Sequence, residues 1–288
     1  MLQPDIARYA SHSRWSDPGS YGDLLDALPA TPAVLPEIVG GLVLHPVVAP
    51  AGSGASDASL RCVAELVAAI LAKDPRPLGL RRPPSNRIVS VCRQYALLAC
   101  GILRQHGLPA RLRVGFADYF TPDFWEDHWV CEYHDGSAWR LLDTELTAEV
   151  RARLGLAFDP ADVPRDRFLA AGPAWLALRR GAHDPARFGV SFLGLAGLWI
   201  AAGSLLRDLA ALAMEETMPW DHWGPARNFR PDKPPAPEWL DRLDRLAEDL
   251  ANERPSDSIL AAHPWAALTP SVLSFPMGQP VEVALDRW

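Results

Sequence analysis

A thiol at Cys92, an imidazole at His128 and a carboxylate at Asp143 are the side chains of this sequence whose types together do nucleophilic chemistry. A thiolate attacks a carbonyl, an imidazole moves the proton, and a carboxylate fixes the imidazole's tautomer and direction. Such a set transfers acyl groups through a thioester on the cysteine. The segments around the three residues must supply their positions. Ser90 is a candidate N-cap, apolar residues recur at helical spacing from Val91 to Leu103, and Gly107-Leu108-Pro109 is a stop signal. Cys92 therefore falls in the first turn of an expected helix. There the unpaired backbone N–H groups and the positive end of the helix dipole favour a thiolate, and the same groups can hold a developing oxyanion. Gln94 and Tyr95, within one turn of the thiol, are candidate oxyanion donors or substrate contacts, and could equally be structural.

Two expected strands carry the other two residues. Glu126–His134 and Ser137–Thr144 flank Asp135-Gly136, a strong hairpin signal between aromatic and β-branched runs. A two-residue turn that pairs His134 with Ser137 sets His128 directly opposite Asp143. Opposed side chains have Cβ atoms roughly 4.5–5.5 Å apart, within reach of an imidazole–carboxylate hydrogen bond. The aromatic stretch between Gly115 and His128 holds Tyr119, Phe120, Phe124 and Trp125 and is expected as a loop. It has two readings: packing beneath a loop, or one wall of an apolar substrate slot completed by Trp129. Other cysteines weigh less. Cys62 and Cys100 sit inside helix patterns, and Cys131 has the opposite strand parity to His128, so all three read as inert core thiols. His222, in Trp220-Asp-His-Trp-Gly224, reads as part of a packed aromatic corner rather than as a ligand.

A Cys at a helix start, then Pro109-Ala-Arg-Leu-Arg-Val-Gly115-Phe, His128-Trp129-Val and Trp139-Arg-Leu-Leu-Asp143, resembles the transglutaminase-like superfamily in order and spacing over about sixty residues. That superfamily belongs to the wider papain-like group, which also includes arylamine N-acetyltransferases. The resemblance implies that Cys92 is the nucleophile, His128 the general base and acid, and Asp143 its orienter. It implies an α+β fold with the catalytic helix packed on an antiparallel sheet. The small residue and Asp that precede the cysteine in the family are Ser90 and Val91 here. Within the family, Dieckmann cyclases release a polyketide–peptide from its carrier protein as a tetramate or pyridone. That is the specific activity we expect, with peptidase or amidase hydrolysis and transglutaminase chemistry as the alternative, and a non-catalytic binding module as the third reading.

The rest of the chain sets bounds. With 288 residues and 49% hydrophobic content it can bury one large core or two smaller ones. A net charge of −7 argues against nucleic acid or an anionic membrane face as partner. The expected partner is a small-molecule or carrier-bound acyl substrate. Met1-Leu-Gln-Pro-Asp lacks a signal peptide's basic start and apolar core, which suggests the cytoplasm. Four cysteines without a Cys-x-x-Cys pair suggest neither zinc nor a disulfide framework, and no cofactor is expected. Walker, Rossmann, His-Glu-x-x-His and Gly-x-Ser-x-Gly patterns are absent. Residues 1–60 read as a helical preamble, with a helix at Tyr21–Leu28, a short strand or turn at Leu42–Leu44 and a small-residue loop at 50–56. A helix from Ser56 carries Leu60, Val63, Leu66, Val67 and Ile70 as its stripe. Beyond Asp143, helices are expected at Phe168–Arg180, through the uncharged run Phe188–Leu206, and at Glu238–Asn252 after a Pro-rich connector. The nineteen-residue run reaches the length of a membrane span, but its glycines and polar continuation favour a buried helix. The domains expected are a catalytic core over 1–155 and a mainly helical C-terminal lobe or lid over 156–288.

Overall fold

The computed structural model describes residues 4–49, 56–286 and 288, so positions 50–55 of the small-residue loop lie outside the described residues. The fold is α+β. It comprises two compact units, Met1–Leu112 with Val130–Pro164, and Arg113–Trp129 with Arg165–Trp288.

In the first unit the preamble forms short helices α1 (Pro4–Ala7), α2 (Gly22–Asp26) and α3 (Leu35–Gly40). Strand β1 (Val43–Leu44) follows and pairs in parallel with β2 (Ile88–Val89). The expected helix from Ser56 is divided. A 3₁₀ turn covers Ser56–Ser59, and α4 runs from Val63 to Lys73 with Cys62 as its N-cap. The Glu65 carboxylate accepts the backbone N–H groups of Arg61 (2.7 Å) and Cys62 (3.3 Å), satisfying donors that would otherwise be orphaned at the start of the helix. Val63, Leu66, Val67 and Ile70 are buried, as the periodicity requires. Between α4 and β2 the buried Arg82 guanidinium donates to the carbonyls of Asp74 (2.9 Å), Arg76 (2.7 Å) and Leu80 (3.1 Å), so one side chain organises an otherwise irregular crossing. Helix α5 (Cys92–Gln105) is capped at Val91 rather than Ser90, without a side-chain cap. At its other end Arg104 donates to the carbonyl of Ala110 and to Ser16 Oγ.

Strands β3 (Ala110–Thr121) and β4 (Phe124–His134) each contribute residues to both units. In the first unit β4 pairs antiparallel with β5 (Trp139–Leu142), and α6 (Ala148–Leu154) follows with Thr147 as N-cap. The register corrects the sequence expectation: His134 pairs with Trp139, not Ser137. The Asp135 carboxylate accepts the N–H groups of Ser137 and Ala138 (both 2.8 Å), which stabilises a four-residue turn over the two-residue one. Trp139 is held edge-on to His134 and beneath the Arg111 guanidinium, whose carbon lies 3.9 Å from the ring centroid. Arg111 in turn pairs with the buried Glu132 at 2.7 Å. The pairing runs from His134–Trp139 to Cys131–Leu142, so the ladder ends one residue before Asp143. A slip of two residues preserves which face each side chain takes.

In the second unit the aromatic stretch is not a loop. It is a hairpin of β3 and β4 turned at Pro122-Asp123, with Asp123 in the left-handed region at φ 58°. β6 (Phe168–Ala170) pairs antiparallel with β3, Gly115 facing Ala170, and only then does α7 (Ala171–Arg179) begin; the expected helix from Phe168 is therefore corrected. Gly115 permits this pairing, because a Cβ there would lie 2.1 Å from the carbonyl oxygen of Leu169. The uncharged run is likewise divided into β7 (Phe188–Val190), β8 (Leu195–Ala196) and α8 (Leu198–Leu212). Gly194 (φ 65°) and Gly197 (φ 122°) take conformations that a helix interior excludes. β7 pairs in parallel with β4 and antiparallel with β8. No helix among the described residues is long and apolar enough to cross a membrane. The remaining elements are β9 (Asp221–His222), α9 (Pro237–Ala251), α10 (Ser256–Ala262), β10 (Ser271–Ser274) and β11 (Val281–Ala284), the strands forming a small sheet in the order β11-β10-β9. Asp244 of α9 accepts Trp175 Nε1 of α7 at 2.6 Å and pairs with Arg179, locking these two helices.

Candidate active site

Cys92 is the first residue of the fourteen-residue helix α5 and is 8% exposed. The helix starts there because Val91 is extended (φ −99°, ψ 174°) and Cys92 begins the helical backbone; Gln94 N–H already returns to the Val91 carbonyl at 3.0 Å. The thiol thus sits where peptide dipoles converge on the N-terminal turn. Gln94 is fully buried, and its side-chain nitrogen donates to the carbonyls of Ala58 (2.9 Å) and Leu60 (3.1 Å), so its donors hold the segment ahead of α4. Tyr95 is buried, and burial pushes its phenol well above the ordinary tyrosine value, with His45 supplying a backbone hydrogen bond. Asp143 follows directly on β5 and is 2% exposed. Its N–H donates to the carbonyl of Pro160 (2.8 Å), and its carboxylate accepts the N–H of Glu145 (2.9 Å). Thr144 Oγ1 donates to the backbone carbonyl of Tyr95 at 3.1 Å. That bond ties the residue after Asp143 to the helix that begins with Cys92.

His128, on β4 in the second unit, is 3% exposed and ringed by aromatics. Phe120 lies 4.8 Å from it centroid to centroid at 64°, Tyr119 at 6.1 Å and 86°, and Phe168 at 6.4 Å and 73°. Tyr119 and Phe120 come from β3, and Phe168 comes from β6, the strand that Gly115 admits. The aromatic residues anticipated as one wall therefore separate. Tyr119 and Phe120 join His128, whereas Trp125 stacks on Phe188 (5.4 Å, 11°) with His183 edge-on at 5.6 Å. Phe124 and Trp125 line a cavity of about 320 Å³ whose other walls include Asp118, Asp123, His183 and Arg187, so it is charged rather than apolar. Trp129 is buried and, one residue along the strand, takes the opposite face from His128. Phe168 was missed by sequence reasoning, because nothing local marks a residue forty positions away as a neighbour of His128.

The carboxylate next to the histidine is also held. Asp127 accepts Ser204 Oγ at 3.3 Å, and Arg207 donates to the same hydroxyl at 3.1 Å. Burial raises the Asp127 carboxyl above its ordinary value, with Arg207 pulling the other way. Arg113 and Asp208 form a two-point ion pair, both contacts at 3.0 Å, and Asp208 also accepts the N–H of Val114 at 2.9 Å. One ridge of α8 thus grips both strands of the hairpin that bears His128.

The remaining thiols behave as core. Burial and a hydrogen bond with Cys100 push the Cys131 thiol well above its ordinary value, and burial likewise raises Cys62. His222 Nδ1 donates to the Ala226 carbonyl at 3.0 Å beside Phe275, and burial lowers its pKa to about 4. No group of three or more His, Cys, Asp or Glu side chains among the described residues could hold a metal ion.

Residues 83–144 match the sequence profile of the transglutaminase-like superfamily, and this segment contains Cys92, His128 and Asp143. No curated protein matches the chain in sequence. Among solved structures, a cysteine protease candidate from Cytophaga hutchinsonii aligns at 16% identity with a TM-score of 0.37, over 59% of this chain and 46% of that one. The chain spans less than half the length of that protein.

Proposed function

We propose that the chain is a cysteine-dependent acyl-transfer enzyme with Cys92 as nucleophile, His128 as general base and acid, and Asp143 as the orienter of the imidazole. The observation that carries the reading is the place of Cys92: the first residue of a long helix, inside a segment that matches the transglutaminase-like profile and also holds His128 and Asp143. A carbonyl attacked there develops negative charge against the helix's first-turn peptide dipoles. The reaction runs in two halves. Cys92 Sγ adds to a thioester or amide carbonyl as His128 takes the thiol proton and passes it to the leaving group, which forms a thioester acyl-enzyme. An acceptor then gives its proton to His128 as it displaces the sulfur.

The acyl donor we propose is a small-molecule or carrier-protein-bound thioester. Its acceptor is a carbon within the same chain, giving a tetramate or pyridone by Dieckmann condensation. The aromatic surroundings of His128 support an acceptor other than water, since apolar rings exclude it. Intact-mass spectrometry after mixing the protein with a short β-ketoacyl aminoacyl thioester tests the reading, with Cys92→Ala alongside. An acyl mass on the wild type that is absent from the variant is the expected result, followed by a cyclic product. Equal acylation of both proteins would refute the assignment of Cys92, and release of free acid alone would replace the cyclase with a hydrolase.

A further inference from the structure

We infer that Phe120 is the residue that decides which acceptor takes the acyl group, by covering the His128 imidazole against water. The inference rests on the acyl-transfer reading and adds to it a determinant of the reaction's outcome. Of the three rings around His128, Phe168 is 2% exposed and Tyr119 5%, so both belong to the core of the second unit. Phe120 is the nearest of the three, at 4.8 Å, and is only partly buried. It therefore stands between the imidazole and solvent, and His128 keeps just 3% of its surface exposed. A phenyl ring offers an approaching water no hydrogen bond, so water coming from that side must displace the ring. An amine or carbon nucleophile carried on an apolar chain meets a favourable surface at the same place.

Both fates of the acyl-enzyme are redox-neutral. With water, the carbonyl C–S bond breaks as a C–O bond forms, and one water proton travels by His128 to Cys92 Sγ, leaving a carboxylic acid. With a primary amine, a C–N bond forms instead, the amine proton takes the same route, and the product is an amide. Phe120 acts here through His128 and is a positioning residue. Its signature is the ratio of acid to amide, which does not depend on how much enzyme is folded or how fast it is acylated.

The experiment acylates the wild type, Phe120→Ala, Phe120→Leu and Phe120→Gln with the thioester used above and adds n-butylamine as acceptor. Acid and amide are then quantified by liquid chromatography–mass spectrometry, with the Cys92→Ala background subtracted. The acid-to-amide ratio should rise about tenfold in Phe120→Ala, the equivalent of about 1.4 kcal/mol between the two barriers. It should rise in Phe120→Gln, which is close to leucine in size but admits water, and stay near the wild-type value in Phe120→Leu. Should the alanine variant not fold, the Leu and Gln pair carries the same comparison. An adduct on Cys92 with one ratio across all four proteins would overturn the role of Phe120 alone. No adduct on the wild type would overturn the acyl-transfer reading, and this inference with it.

Discussion

Asp208→Asn is the substitution for which the structure gives the clearest magnitude. Asp208 is fully buried, its partner Arg113 keeps 3% of its side chain exposed, and the two share two contacts at 3.0 Å. Asparagine preserves the shape and one acceptor, so the N–H of Val114 retains its partner. What disappears is the negative charge opposite a guanidinium that cannot reach water, and the new amide N–H₂ points a donor at a donor. Removing one charge of a buried pair costs up to about 3–5 kcal/mol. The double variant Arg113→Met/Asp208→Asn also removes the guanidinium that the new amide N–H₂ would face while keeping an acceptor for Val114 N–H, so it should recover part of the loss. Equilibrium urea unfolding read by tryptophan fluorescence measures all three proteins. The order wild type, double, single is the expected one. A single variant that loses less than about 1 kcal/mol, or a double variant no more stable than the single, would refute the claim that a desolvated charge pair anchors α8 to β3.

Two further expectations concern protons and thiols. His222 is held at about 4 in the folded chain against 6.5 in the unfolded one. Between those values the unfolded chain binds a proton that the folded chain refuses, so stability falls as the pH drops from about 7 towards 4. The loss is about 2–3 kcal/mol by pH 4.5. His222→Gln should flatten that part of the stability curve, and parallel pH slopes in the two proteins would contradict the assignment. Cys100 and Cys131, both without exposed surface, should resist iodoacetamide at pH 8 in the folded protein and react once it is unfolded in urea. Peptide mapping that finds either labelled within minutes under native conditions would show that the core of the first unit opens far more readily than its burial implies.

How far the sequence could be read depended on whether the deciding contact was local. The place of Cys92 in the first turn of α5, the stripe of α4 and the existence of the β4–β5 hairpin all follow from patterns a few residues long, and the structure has each of them, with the α5 cap one residue later than Ser90. The hairpin's register does not follow from such a pattern. Asp135-Gly136 suits a two-residue turn, but the Asp135 carboxylate captures two backbone N–H groups and Arg111 holds Trp139 from another strand, and together they select the longer turn. The run Phe188–Leu206 has helical composition throughout, yet two glycines at positive φ divide it, and β7 finds its partner in β4, sixty residues earlier.

The same division governs the candidate site. Aromatic residues near His128 in sequence were visible as a group, but alternation and the turn at Pro122-Asp123 send Tyr119 and Phe120 to the imidazole and Phe124 and Trp125 to a charged cavity. Phe168 enters because Gly115 lets β6 approach β3, a steric permission that leaves no trace at Phe168 itself. Gly115 thus acts on the surroundings of His128 from thirteen residues away, by admitting a strand rather than by touching the ring. The candidate residues Cys92, His128 and Asp143 stood out from type and spacing, whereas the rings that surround His128 were chosen by long-range pairing. On the proposed reading, acceptor choice depends on that second set, which pairing between distant strands assembles and no local pattern announces.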